Sequence, residues 1–317
     1  CLDPGRPVLA IGGVRGRGVS PDTARQTILR AAVARLQAAN IPSPVWEARH
    51  LLCDLEGITP TDIIAYPDRP VRHITQYQDW VALRASGVPM SRITGRRNFW
   101  GLDFHVSPAT LDPRMDSEVL VREALALIPG DQKCDIADIG TGTGCLILAV
   151  LHDRPMATGH GLDISKEALK TAQANADYLG LSDRVRFVES NWLSALKPDS
   201  IDVLISNPPY IVQSEIQHLD QAVRDHDPVL ALDGGADGLD AYRAIVETTP
   251  KVLRPGGWIA LEIGWDQGQT VPNLLDKAGF LRISCHQDTA GRDRVVLGQK
   301  PDPSDLKKTL GKGRAKG

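Results

Sequence analysis

The feature that most constrains the fold is a regular alternation of apolar runs and amphipathic stretches between residues 134 and 299. The apolar runs have the length and composition of buried strands, and the stretches between them have helical spacing. The strands are predicted at 135–139, 157–162, 184–188, 201–206 and 257–263, with helices at 144–152, 166–179, 238–252 and 267–277. This order predicts an α/β fold with a doubly wound, Rossmann-like parallel sheet. Two final strands, 281–286 and 294–299, flank Gly291 and predict an antiparallel last strand.

Residues 1–115 have a different pattern. Three short amphipathic helices, broken by prolines and glycines, predict a small helical bundle ahead of the sheet. The predicted segments are a flexible leader (1–20), a helical bundle for substrate recognition (21–86), a linker with a β-hairpin (87–115), the main α/β domain (116–300) and a basic flexible tail (301–317). The bundle's second and third helices are expected at 45–55 and 70–85.

Composition and charge exclude several classes of protein. The longest apolar run, residues 145–151, is far shorter than the ~20 residues a membrane helix needs. The five cysteines are scattered and the eight histidines lack metal-ligand spacing, so we expect no disulfide framework, no metal and a cytoplasmic location. Residues 115–306 carry a net charge of -12, which disfavours nucleic-acid binding there, whereas residues 1–114 carry +4.

A glycine-rich turn joins the first predicted strand to its helix. It reads Asp138-Ile-Gly140-Thr-Gly142-Thr-Gly144, and position 145, where a dinucleotide fingerprint needs glycine, is Cys. This spacing resembles motif I of S-adenosylmethionine-dependent methyltransferases. The resemblance implies a cofactor site made of Asp138, Gly140, Thr141, Gly142, Thr143 and Gly144.

Two further residues are candidates for contacts with a nucleoside. Asp163 ends the second strand, where a carboxylate can accept hydrogen bonds from ribose hydroxyls. It is also placed to cap the helix that starts near Ser165, and the two roles stay open. Trp192, after the third strand, has two equally good interpretations, as a wall for an adenine ring or as a core residue.

The most specific motif is Asn207-Pro208-Pro209-Tyr210, which follows the fourth strand. An amide or exocyclic amine has a delocalised lone pair, so two acceptors must hold its N–H groups for methylation. The Asn207 side-chain oxygen and the Pro208 carbonyl are candidate acceptors, Pro209 stiffens the turn, and the Tyr210 ring offers a surface for a planar amide.

With these motifs the chain resembles the HemK-type release factor glutamine methyltransferases over residues 22–300. The other segments that carry the resemblance are 92–95, 99–100, 106–108, 112–114, 162–165, 232–239 and 290–293. The main departure is Met115 where the family usually has proline.

The resemblance implies a class I methyltransferase fold and the cofactor S-adenosyl-L-methionine, with S-adenosyl-L-homocysteine as product. It implies that the glycine loop, Asp163, Trp192 and Asn207 bind the cofactor, and that residues 207–210 hold the substrate glutamine. The implied substrate is the N5 amide of the glutamine in the Gly-Gly-Gln (GGQ) loop of peptide chain release factors 1 and 2. We expect a monomer with no membrane or direct nucleic-acid partner.

Three alternatives remain at this point. A glutamine methyltransferase acting on a ribosomal protein shares the Asn-Pro-Pro-Tyr chemistry, although residues 233–239 and 291–293 favour the release-factor branch. An adenine-N6 nucleic-acid methyltransferase faces the same chemical problem, but the acidic central domain disfavours it. A non-catalytic binding protein is disfavoured because both motifs are intact.

Overall fold

The computed structural model describes residues 23–302, and the chain divides into two compact units, Cys1–Ser86 and Gly87–Gly317. The predictions for the leader, and for the tail from residue 303 onward, fall outside the described residues. Among the residues described, no helix is long and apolar enough to cross a membrane.

The described part of the first unit contains four helices rather than the predicted three: α1 (Arg25–Ala38), α2 (Pro44–Glu56), α3 (Pro60–Ala65) and α4 (Ile74–Ala85). Its core includes the fully buried Leu36, Leu51 and Tyr77. The sequence did not predict α3, because a helix of six residues is too short to show a repeating pattern of apolar residues. It is defined by a capping box, in which the Thr59 hydroxyl accepts from the Asp62 backbone N–H and the Asp62 carboxylate accepts from Thr59.

The second unit contains a hairpin and a seven-stranded sheet. The hairpin strands are β1 (Arg96–Phe99) and β2 (Leu102–His105). The sheet strands are β3 (Cys134–Ile139), β4 (Ala157–Asp163), β5 (Val185–Glu189), β6 (Ile201–Ser206), β7 (Leu253–Glu262), β8 (Leu281–Gln287) and β9 (Asp293–Gln299). The helices are α5 (Met90–Thr94), α6 (Glu118–Leu127), α7 (Cys145–Asp153), α8 (Lys166–Leu179), α9 (Gln221–Arg224), α10 (Asp240–Val252) and α11 (Thr270–Lys277).

The strand order is β5-β4-β3-β6-β7-β9-β8, with β3 to β7 parallel and β9 antiparallel to its two neighbours. This confirms the predicted doubly wound sheet with an antiparallel last strand. Apolar side chains alternate between the two faces, as Ile136 and Ala137 do on β3. Helices α6 to α8 cover one face, and α10 and α11 cover the other.

Strand β7 begins at Leu253, four residues before the prediction. Leu253 pairs with Ile201, and the register then shifts before Trp258 pairs with Val203, so the strand passes through Pro255 at an irregularity that needs no ladder N–H.

The carboxyl ends of the three central strands lie side by side. Ile139 of β3 is opposite Ser206 of β6, and Ser206 is opposite Leu261 of β7. The glycine turn, the Asn-Pro-Pro-Tyr segment and Glu262 therefore meet at one edge of the sheet, where open α/β folds bind ligands.

Candidate active site

A cavity of about 980 Å³ opens at this carboxyl edge. It brings together eight of the residues predicted from the sequence. These are Gly140, Thr141, Gly142, Thr143, Asp163, Trp192, Asn207 and Pro209. Four others lie outside its lining: Asp138, Gly144, Pro208 and Tyr210.

The glycine turn exposes its backbone to the cavity. Gly140 and Gly142 have φ values of +70° and +55°, and a Cβ atom on Gly140 would find no protein atom within 4 Å. Gly144 differs, because a Cβ there would lie 3.1 Å from the Leu148 side chain. The first two glycines therefore leave space for a ligand, whereas Gly144 allows α7 to start close to the sheet.

Asp138 lies beneath this turn and is fully buried. Its Oδ2 accepts a hydrogen bond of 2.7 Å from the Thr141 hydroxyl, and its Oδ1 has no partner among the described residues. Burial raises the pKa of Asp138 to about 7, and the nearby charge of Asp163 adds to the increase. Asp138 thus holds the glycine turn through Thr141, and its second oxygen has no partner among the described residues.

Asp163 connects the second strand to the glycine turn. Its Oδ2 accepts from the Gly142 backbone N–H and its Oδ1 from the Ser165 N–H, both at 2.9 Å. The suggestion that Asp163 caps α8 is wrong, because Ser165 is the N-cap and its hydroxyl accepts from Ala168. Each carboxylate oxygen can accept a further hydrogen bond, and Asp163 lines the cavity.

Trp192 lines the cavity and also packs against the apolar cluster on the α10 face. Its φ of +52° lies in the left-handed region, which is unfavourable for a large side chain. Both interpretations of Trp192 are thus compatible with its position.

The Asn207 side chain is anchored at its nitrogen. Nδ2 donates to the Ser117 hydroxyl at 3.2 Å, across 90 residues of sequence. Just before it, the Ser206 hydroxyl donates to the Ile139 carbonyl at 2.6 Å and ties β6 to β3. These contacts hold Asn207 at the cavity wall.

Two later segments of the chain hold the backbone of Tyr210 and of the residue after it through hydrogen bonds. Its carbonyl accepts from the buried Gln267 side chain at 3.4 Å, and the same amide nitrogen donates to the Gly238 carbonyl at 3.1 Å. The next residue, Ile211, accepts from the Gly234 N–H at 2.8 Å. Burial raises the pKa of Tyr210 to about 12, so its phenol stays neutral near pH 7.

A third wall of the cavity, residues 228–231, is held by an ionic cluster. The buried Asp227 binds Arg92 through Oδ1 and Arg114 through Oδ2, each at 2.5 Å. Val229 and Leu230, directly after it, are more than half exposed. The ionic cluster therefore fixes the start of this segment, which contributes exposed apolar side chains to the cavity lining.

Sequence reasoning missed part of this site. Ser117, Glu262 and Gln267 contribute through pairings far apart in sequence. One signal was available, because Glu262 is a carboxylate at the end of an otherwise apolar strand. In the same cavity the sequence suggested no thiol nucleophile, and burial raises the pKa of Cys145 to about 12. Within residues 23–302 no group of three or more His, Cys, Asp or Glu residues could hold a metal ion.

The cavity has the size and chemistry for an adenosyl ligand together with a second group. Its volume lies at the upper end of small-molecule sites, its glycines leave open space, and Asp163 offers two acceptor oxygens. The arrangement can bind and orient polar nitrogen groups, and it offers no activated nucleophile.

Comparisons with known proteins identify the fold and the family. Residues 115–279 match the family model of the methyltransferase small domain, and residues 27–95 match that of the PrmC N-terminal domain. The catalytic domain of hMettl16, solved in complex with the MAT2A 3'UTR hairpin 6, has the same fold. Its TM-score is 0.52 at 15% identity, covering 73% of this chain and 82% of that one.

Curated relatives are much closer in sequence. The release factor glutamine methyltransferase of Caulobacter vibrioides is 42% identical over 272 residues, covering 85% of this chain and 94% of the relative. The protein of the same name from Moorella thermoacetica is 41% identical over 278 residues, covering 87% and 98%.

The sheet, the glycine turn and the matched domain define a class I α/β methyltransferase. Within that class, the chain belongs to the release factor glutamine methyltransferase family.

Proposed function

We propose that this protein transfers a methyl group from S-adenosyl-L-methionine to the side-chain amide nitrogen of a glutamine in peptide chain release factors. The observation that carries the proposal is the convergence of the glycine turn and Asn207 on one cavity at the ends of adjacent strands. The name that the relatives share supports the release factor as substrate, and the GGQ-loop glutamine is the specific target we propose.

The cofactor half of the site is built from β3, β4 and the segment after β5. The open backbone of Gly140 and Gly142 accommodates the ligand, Asp163 accepts from the ribose hydroxyls, and Trp192 flanks the adenine. When bound, the cofactor supplies an activated methyl group on a sulfonium centre. The -12 charge of residues 115–306 favours such a cation.

The substrate half holds a planar amide. The Asn207 Oδ1 accepts one N–H of the substrate nitrogen, and the Pro208 carbonyl accepts the other. The prolines fix this acceptor pair in advance, so little orientation entropy is lost when the substrate binds. The Tyr210 ring packs against the amide plane and, with its raised pKa, does not act as a base.

The proton leaves the substrate nitrogen after the methyl group has been added, when that nitrogen is cationic. The two acceptors that orient the N–H groups also stabilise this positive charge. No strong base is required, which agrees with a cavity where none of the described lining residues is His or Lys. Because the reaction takes place on a translation factor, we place the protein in the cytoplasm, without a direct nucleic-acid substrate.

Labelled S-adenosylmethionine tests the proposal when incubated with the protein and, in separate reactions, release factor, ribosomal protein or DNA. We expect label on release factor alone, at the glutamine of the GGQ loop. Asn207→Ala should lower the rate by roughly 100- to 1,000-fold, the cost of losing one preorganised polar contact in a transition state. Equal transfer by wild type and Asn207→Ala would show that this motif is not the active site.

A further inference from the structure

Glu262 is a buried carboxylate next to the proposed acceptor, and neither sequence motif contains it. It ends β7 and is 2% exposed. In the parallel register Ser206 faces Leu261, so the residues that follow them, Asn207 and Glu262, are neighbours at the strand ends. Glu262 Oε2 is buried and has no hydrogen-bond partner among the described residues.

The Asn207 carboxamide must present its oxygen, and not its nitrogen, to the substrate. A free carboxamide exchanges the two by rotation about its last bond, and before the substrate binds a partner for the nitrogen can prevent this. Ser117 is one partner, at 3.2 Å from Nδ2. Burial raises the pKa of Glu262, and hydrogen bonding from the Ser117 and Asn207 side chains lowers it in part, which agrees with the strand register that makes Glu262 and Asn207 neighbours. Ser117 and Glu262 thus form the surface that the amide nitrogen faces.

The charge of Glu262 decides whether Ser117 and Glu262 together attract the nitrogen or the oxygen of the Asn207 carboxamide. An ionised carboxylate can only accept hydrogen bonds, so it attracts the Asn207 nitrogen, whereas a protonated carboxyl can donate to the oxygen instead. Burial raises the pKa of Glu262 to about 7, against the opposing effects of Ser117, Arg294 and Asn207. The charge therefore changes near neutral pH.

Groups on every neighbouring element contribute to this charge. Against the effect of burial, the positive charge of Arg294 on β9 lowers the pKa of Glu262. Arg294 also forms ion pairs with Asp116 and Asp288, each at 3.3 Å. Asp116 opposes ionisation of Glu262. The charge of Glu262 also acts on Tyr210, on Tyr242 of α10 and on Cys145 of α7. These three groups are neutral at pH 7, because burial raises the pKa of each.

We propose that ionised Glu262 is a positioning residue, which with Ser117 holds the Asn207 nitrogen and so directs the Asn207 oxygen at the substrate amide. This inference rests on the proposed function, because it assigns the reaction's acceptor to Asn207. Glu262 acts through Asn207 and does not touch the substrate nitrogen. Its ionisation gates methyl transfer between acidic and neutral pH.

The pH profile of methyl transfer tests whether the reaction depends on the ionisation of Glu262. Wild-type kcat should rise between pH 6 and 8, and Glu262→Gln should be flat over that range, with kcat at pH 8 lowered roughly 10- to 100-fold. Ser117→Ala should lower kcat less than Glu262→Gln does and should keep the increase of kcat between pH 6 and 8. Cofactor affinity should change less than threefold in both. Asp202→Asn, which removes an Arg254 partner at the opposite edge of the same sheet, is the control and should keep the wild-type profile.

A second measurement does not depend on methyl transfer. In ¹⁵N-labelled full-length protein, the side-chain NH₂ signals of Asn207 are identified by their absence in Asn207→Asp. They should shift with pH in wild type, with a midpoint near neutrality, and stay fixed in Glu262→Gln. Wild-type kcat in Glu262→Gln, or Asn207 signals that respond to pH equally in both proteins, would overturn the proposal. A failure of the proposed function appears separately, as full activity in Asn207→Ala.

Discussion

A Cβ atom on Gly238 would lie 2.5 Å from the carbonyl oxygen of Tyr210, closer than real Cβ contacts come. Gly238 also has a φ of +74°, and the Gln267 side chain bridges its carbonyl to that of Tyr210. The glycine-rich segment 234–238 therefore packs directly on the backbone of the Asn-Pro-Pro-Tyr segment. Glycine is required at position 238 for space as well as for conformation.

Gly238→Ala should displace the Tyr210 backbone and disorder the substrate acceptors. We expect kcat to fall by about 100-fold, the scale of a 1 Å misplacement in a catalytic site. Cofactor affinity should change less than threefold. Gly180→Ala is the matched control, because Gly180 also has a positive φ, of +68°, but no atom within 4 Å of its Cβ position. Similar activity in the two variants would show that the close approach is unimportant.

Part of this site could be predicted from sequence because its signals are local. Glycines, prolines and the ends of apolar runs mark the turn at 140–144 and the segment at 207–210 directly. Ser117 and Gln267 carry no local signal, and Glu262 is marked only as a carboxylate in an apolar strand. Strand register and loop packing bring all three to Asn207 and Tyr210 from 55 to 90 residues away. The short helix α3 was missed for a different reason, because side-chain caps and not periodicity define it.

Asp163→Ala should weaken S-adenosylmethionine binding by about 1–3 kcal/mol, the range for hydrogen bonds to a charged group. The structure adds a second cause, since the carboxylate also accepts from Gly142 and Ser165 and holds the turn in place. Asp163→Asn keeps one acceptor oxygen and should lose less. Calorimetric titration measures both variants, and unchanged affinity in Asp163→Ala would contradict the ribose assignment.

Asn207→Asp is a sharper test than Asn207→Ala. An acceptor-only role would let the aspartate variant keep more activity than the alanine variant. The structure predicts the opposite, because aspartate loses the N–H that binds Ser117 and places a second carboxyl beside Glu262. We expect kcat no higher than in Asn207→Ala at pH 8, with cofactor binding intact. Single-turnover rates decide this, and clearly higher activity for Asn207→Asp would mean that the nitrogen anchor is unnecessary.

The helical unit carries a groove that we predict contacts release factor away from the reacting glutamine. Arg30, Arg49 and Ile64 line it, and Ile64 is 71% exposed. Arg30→Glu with Arg49→Glu should raise KM for whole release factor at least 10-fold and leave KM for a short Gly-Gly-Gln peptide unchanged. Arg35→Glu reverses one charge on α1 outside the groove and is the matched control for the single variant Arg30→Glu. Equal effects on both substrates would reject this surface.

Two buried carboxyls should make the folded protein less stable as pH rises. Asp138 and Glu262 each have a pKa raised to about 7, mainly by burial, and in the unfolded chain they titrate near 4. Between these values the folded state keeps protons that the unfolded state releases. The free energy of unfolding therefore falls as pH rises from about 4 to about 7, by up to about 4 kcal/mol for each group.

Glu262→Gln removes this cost without changing the shape of the side chain, so it should raise Tm at pH 8 and have little effect at pH 5. Glu56→Gln is a control of opposite sign. Burial raises the pKa of Glu56, but hydrogen bonds from Arg72 and His73 outweigh that effect and lower it. Its stabilisation is complete above pH 5, so Glu56→Gln should lower Tm equally at both pH values. Thermal unfolding of the three proteins at pH 5 and pH 8 measures the difference. A Glu262→Gln protein less stable than wild type at pH 8 would mean that Arg294 and the surrounding hydrogen bonds fully compensate the buried charge.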